Sequence, residues 1–133
     1  MVDDEPFNLM AMETILRQAG VRIGLDPISL REKTDFVSSG RIALDRIYGG
    51  EVYSLIITDI SMPLMDGYEL TKGILDIVTA RRGIIPYIVA CTGHVEEMYI
   101  KKAWNYGINE ILSKPAKIEI LAEILEECIL DEA

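Results

Sequence analysis

The sequence predicts an α/β fold, a parallel sheet with helices packed on both faces. Two observations carry that prediction. The short apolar runs Ser54–Leu55–Ile56–Ile57–Thr58 and Pro86–Tyr87–Ile88–Val89–Ala90–Cys91 lack the polar alternation of a half-exposed strand, and suit strands covered on both sides. Around them lie stretches whose apolar residues recur at three- and four-residue steps, the period of amphipathic helices. Such alternation, with mostly short connections, is the pattern of a doubly wound sheet.

Taken in order, Val2–Asp3–Asp4–Glu5–Pro6 opens the chain, and Pro6 suits the first turn of a helix, where its missing N–H is not needed. Leu9, Met12, Leu16 and Ala19 mark that helix, which is expected to end at Gly20. Residues 20–33, with Gly24, Asp26, Pro27 and mixed charge, read as a long loop. Asp35–Phe36–Val37–Ser38 reads as a short strand. Ser39–Gly40 then turns into a helix carrying Ile42, Ala43, Leu44 and Ile47, stopped by Gly49–Gly50. The strand Ser54–Thr58 delivers Asp59 at its C-terminal end, and the turn-rich Met62–Gly67 leads to a helix from Tyr68 to about Thr79. The strand Pro86–Cys91 ends in Thr92–Gly93. Glu96–Tyr106 is a helix with Gly107 as its stop. Glu110–Ser113 is a further strand, ending at Lys114–Pro115. Lys117–Leu130 is the last helix, with Ile120, Leu121, Ile124, Leu125 and Cys128 on one stripe.

The length, 133 residues, suits a single domain spanning 1–133. Thirteen basic residues face 22 acidic ones, a net charge of −9, so nucleic acid would meet repulsion rather than counterion release. Cys91 and Cys128 form no CxxC pair, and the single His94 gives no zinc pattern; both cysteines read as buried free thiols of a reducing compartment. No signal-peptide pattern opens the chain, and no apolar stretch is long enough to span a bilayer. A cytoplasmic protein without direct membrane contact is expected.

In doubly wound folds, ligands bind beyond the C-terminal ends of the strands. The polar residues at those ends are Asp3, Asp4, Asp59, Thr92 and Lys114. Two carboxylates about 5 Å apart repel by roughly 3 kcal/mol at an effective dielectric near 20, so a cluster of three calls for a cation. Mg²⁺, a hard ion, prefers such oxygens and would screen an incoming phosphate. Asp59 would then attack phosphorus, Lys114 would neutralise one phosphate oxygen and Thr92 would donate to another. Taken singly, each residue has a plainer reading: a strand-end Asp as a cap, a Thr as structural, a Lys as a solvated charge. Their joint position at strand ends is what makes the chemistry.

With those residues in place, the sequence resembles the CheY-like receiver domains of response regulators and hybrid histidine kinases. The resemblance is carried by VDDEPFN at 2–8, LIITDISMPLMDGYEL at 55–70, IVACTG at 88–93 and ILSKP at 111–115. It implies a five-stranded, flavodoxin-like parallel sheet of order 2-1-3-4-5. It implies that Asp4 and Asp59 bind Mg²⁺ directly, Asp3 through water and Ser61 by its backbone carbonyl. Thr92 would be the switch hydroxyl, Lys114 the phosphate-contacting amine, and Lys114–Pro115 a cis bond. The implied function is phosphorelay signalling: Asp59 takes a phosphoryl group from the phosphohistidine of a histidine kinase or histidine phosphotransfer protein. Self-phosphorylation and slow self-dephosphorylation would be the only activities. Ser61 and His94 would flank the route of hydrolytic water.

The chain departs from the family's pattern in three places. Only Met1–Val2 precede Asp3, so the first strand is short. Ile111 stands where the family's aromatic switch residue lies. The spacing from Asp3 to Asp59 is longer than usual, with the excess in 20–33, read as a mobile or partner-contacting insertion. Two other functions compete. A Mg²⁺-dependent aspartyl-phosphate phosphatase of the haloacid dehalogenase type would need an Asp two residues after the nucleophile, where Ser61 stands. A pseudo-receiver would keep the fold as a binding module without phosphorylation.

Overall fold

A computed structural model gives the fold for residues 1–93 and 97–129. The helices are α1 (Pro6–Arg22), α2 (Pro27–Glu32), α3 (Gly40–Tyr48), α4 (Gly67–Ala80), α5 (Glu97–Tyr106) and α6 (Ile118–Ile129). The strands are β1 (Leu55–Asp59), β2 (Tyr87–Thr92) and β3 (Glu110–Ser113). The sheet is parallel, in the order β1-β2-β3, with Asp59 level with Cys91 and Thr92 level with Ser113. The strand-end residues therefore share one edge.

Beyond β1 the sheet continues through single residues. Val2 bridges Thr58 on one side and Val37 on the other, both in parallel. Val2 N–H donates to the Ile57 carbonyl at 2.8 Å, and Asp59 N–H donates to the Val2 carbonyl at 2.9 Å. The spatial order Val37, Val2, β1, β2, β3 is the expected 2-1-3-4-5 order. Among the described residues its first two positions are single bridging residues rather than strands, beside the three-stranded ladder of β1, β2 and β3. A hollow of about 480 Å³ lies at the opposite edge from Asp59, between Val2, Val37, Leu55, Leu30 and Ile129.

Each strand alternates its side chains between two cores, which explains its uninterrupted apolar run. Ile56, Ile88 and Ala90 pack with α3, α4 and α5 through Ile47, Leu70, Ile74 and Ala103. Ile57, Val89, Cys91 and Leu112 pack with α1, α2 and α6 through Leu16, Leu30, Leu121 and Leu125. Cys91 is buried, Cys128 is half-buried, and neither forms a disulfide among the described residues. No helix among the described residues is long and apolar enough to cross a membrane.

Two expectations are corrected. Asp35–Ser38 is not a strand among the described residues, where Val37 makes an isolated bridge to Val2. Residues 20–33 are not a long loop, because α1 runs on to Arg22 and α2 fills Pro27–Glu32. Asp26 caps α2 by accepting from Ser29 N–H at 3.0 Å, and Pro27 occupies its first turn. Leu30 is buried against Gly20, where an added Cβ would meet Leu30 Cδ2 at 2.6 Å. The expected end of the last helix at Leu130 lies outside the described residues.

Candidate functional site

Asp59 is the last residue of β1, and the sequence around it builds the wall of a pocket. Gly67 opens α4 directly against it: a Cβ at Gly67 would sit 2.5 Å from the Asp59 carbonyl oxygen and 2.9 Å from Ile60 Cα. Only glycine permits that approach. Asp66 fixes the helix start through a capping box, its carboxylate accepting from Glu69 N–H at 2.9 Å while Glu69 accepts from Asp66 N–H at 3.3 Å. The Asp66–Gly67 pair is thus scaffolding for Asp59. Leu64, in the loop between them, takes a positive φ of 68° with its side chain fully exposed.

Asp3, Asp4 and Asp59 each offer a carboxylate oxygen, and these oxygens lie within 4.8 Å of one another. Asp3 and Asp59 are buried, and Asp4 is half-buried. Lys114 Nζ reaches Asp3 Oδ2 at 3.1 Å and Asp59 Oδ1 at 3.3 Å. Asp59 Oδ1 also accepts from Ile60 N–H at 2.8 Å. Asp3 Oδ1 accepts from Glu5 N–H at 3.0 Å and Asn8 Nδ2 at 3.4 Å. Asp3 therefore accepts from the residue ahead of α1 and from Asn8 within it, and also faces the lysine. Lys114 is anchored from below by its own N–H, which donates to the Thr92 carbonyl at 2.9 Å, and Lys114–Pro115 is cis.

Burial pushes the Asp59 carboxyl above its ordinary value; Lys114 opposes that shift and the Asp3 charge adds to it. Burial alone would lower the Lys114 ammonium, but its hydrogen bonds and attraction to Asp3 and Asp59 more than offset this and leave it raised. Burial also holds the Cys91 thiol at about 11, so it stays protonated and inert beside the pocket.

Thr92 ends β2 on the same edge and is buried, while Ser61 is exposed two residues after Asp59. His94 lies outside the described residues. Asn8 escaped the sequence reading, although its place four residues after Asp4 set it one helical turn from the acidic pair. The contact of Lys114 with Asp3, 111 residues apart in sequence, had no local signal.

The model of the response regulator receiver domain matches residues 1–126. The chain belongs to this receiver family. The receiver is 30 % identical over 124 residues to the sensor histidine kinase GacS of Pseudomonas protegens, covering 93 % of this chain but 12 % of that protein. It is 29 % identical over 127 residues to two-component response regulator 24 of Arabidopsis thaliana, covering 96 % of this chain and 80 % of that protein. Among solved structures it is similar to the receiver domain of sensor histidine kinase PA1611 from Pseudomonas aeruginosa PAO1, which has a magnesium ion coordinated in its active site cleft. The identity there is 29 % and the TM-score 0.72, over 96 % of this chain and 93 % of that one. The receiver thus matches most of a response regulator and a small part of a sensor kinase. Two-component phosphorelay signalling is the function of its family, and no metabolic enzyme family is implied.

Proposed function

We propose that this receiver, a single unit over 1–133, accepts a phosphoryl group on Asp59 from the phosphohistidine of a histidine kinase or histidine phosphotransfer protein. The observation that carries the reading is the convergence of Asp3, Asp4 and Asp59 with Lys114 Nζ, 3.3 Å from Asp59, at the C-terminal edge of the sheet. One ammonium among three carboxylates leaves the pocket anionic, and its all-oxygen donor set fits a hard divalent cation. Asp4 and Asp59 would hold Mg²⁺ directly, with Asp3 through water and the Ser61 carbonyl completing the set. Bound there, the ion would draw charge from the phosphoryl oxygens.

The chain's own groups then act as follows. Asp59 Oδ1 is engaged by Ile60 and Lys114, which leaves Oδ2 to attack phosphorus. A P–O bond to Asp59 forms as the P–N bond breaks, and its electron pair departs on the imidazole nitrogen. Lys114 turns from Asp59 to a phosphoryl oxygen, and the Thr92 hydroxyl donates to another. The product is a conformation rather than a released metabolite.

Leu64 is exposed in the loop after Asp59, and Phe7 and Met10 are exposed on α1, apolar surface of the kind a protein partner covers. Beside them a hollow of about 330 Å³ opens between Asn8, Met12, Asp59 and Pro115. We place the protein in the cytoplasm, where such partners present their phosphohistidines. The test is transfer from a radiolabelled histidine phosphotransfer domain. Label is expected to move to this chain in Mg²⁺ and to stay on the donor in excess chelator; movement independent of the metal would contradict the reading.

A further inference from the structure

With Ile111 half-buried at the family's aromatic position, β3 offers no ring to move when Asp59 changes state. The structure carries an aromatic cluster elsewhere, on the seam between α4 and α5. Tyr68 follows Gly67, whose backbone touches Asp59, and is 4 % exposed. Its ring lies 5.3 Å from the Tyr106 ring, tilted by 41°, and the Lys102 ammonium stands 4.5 Å above its centroid. Its hydroxyl is buried with no hydrogen-bond partner among the described residues. Burial raises its phenol, so it remains a neutral donor. A buried donor without an acceptor disfavours the conformation that strands it, and a rearrangement that pairs it is correspondingly favoured.

Both sides of this seam are tied to the pocket. α4 starts against Asp59 through Gly67, and α5 starts at Glu97, five residues after Thr92. Movement of Thr92 toward a modified Asp59 therefore draws on the helix that carries Lys102 and Tyr106. The same helix exposes Trp104, the chain's single tryptophan, at 62 %. We propose that Tyr68, clamped between Lys102 and Tyr106, carries the state of Asp59 to the exposed face of α5, in place of an aromatic residue at Ile111.

This rests on the phosphoacceptor reading above, and the experiment separates the two. Acetyl phosphate labelling of Asp59 is followed by intact mass, and Trp104 emission is followed while beryllofluoride is titrated with Mg²⁺. Tyr68→Phe keeps the ring and removes the hydroxyl; it is expected to weaken apparent beryllofluoride affinity by about fivefold or more. Lys102→Ala is expected to label as the native chain does yet lose most of the Trp104 change, and Lys102→Arg, which keeps a cation over the ring, to retain it. A merely structural Tyr68 hydroxyl would alter thermal stability and leave the affinity alone. Labelled variants of which either behaves as native would overturn the relay alone; a native chain that neither labels nor binds beryllofluoride would overturn both readings.

Discussion

Lys114 sits where two demands meet. It neutralises part of a three-carboxylate cluster, and under the proposed function it would release Asp59 as a phosphoryl group arrives. Lys114→Ala strands Asp3 and Asp59 together in a largely buried pocket, a loss of about 1–3 kcal/mol. Chemical denaturation should show that loss without divalent cation and recover a large part of it in Mg²⁺, which restores the missing positive charge. A second residue tests the electrostatics away from the site. Glu110 Oε2 is buried with no partner among the described residues, and burial, then Glu127 and Glu123, raises its carboxyl. A raised folded value means that Glu110 favours the fold below the ordinary 4.5 and loses that contribution as pH rises through its folded value. Glu110→Gln should therefore match the native chain in acid and exceed it in melting temperature at neutral pH. A constant offset across pH would contradict that assignment.

At the scale of elements, the α4 start shows how local signals place a site. Gly67→Ala sets a methyl group 2.5 Å from the Asp59 carbonyl oxygen, so either β1 or α4 must shift. A destabilisation of about 1–3 kcal/mol and slowed labelling of Asp59 are expected together. Asp66→Ala removes only the capping box, so it should cost about 1 kcal/mol while labelling persists. Equal effects of the two on labelling would mean that the glycine contact does not position Asp59. The strand, Asp59 at its end and the turn before the helix were legible because the information is contiguous, the apolar run 54–58, then Asp59, then Met62–Gly67, whereas the capping box and the glycine contact were not read. The short α2 was not legible. Six residues that open with Pro27 after Gly24 and Asp26 look like a loop. What makes them a helix is Leu30 against Gly20 and the Arg31–Glu13 ion pair at 3.5 Å, both supplied by α1. Likewise Asp35–Ser38 has strand-like residues, but among the described residues its pairing is the isolated bridge of Val37 with Val2 and no ladder forms.

For the whole molecule, the parallel sheet brings together groups from the two ends of the chain. Asp3 and Lys114 meet across 111 residues, so the pocket exists only when the fold does. A divalent cation binding the folded pocket and not the unfolded chain must raise global stability, by about 2.7 kcal/mol at a hundredfold excess over its Kd. Thermal unfolding should show this rise for the native receiver and a smaller one for Asp59→Asn. The polar edge and the carboxylate set could be read from the sequence, because strand ends in a doubly wound fold are where side chains converge, whereas the order of the sheet came from the resemblance to receiver domains. The aromatic seam of Tyr68, Lys102 and Tyr106 could not, since it depends on how α4 and α5 pack.

Intact-mass analysis after incubation with acetyl phosphate and Mg²⁺ tests the central claim most directly. The native chain should gain the mass of one phosphoryl group and Asp59→Asn should gain none. No gain by the native chain, or an equal gain by both, would contradict the assignment of Asp59 as the phosphoacceptor.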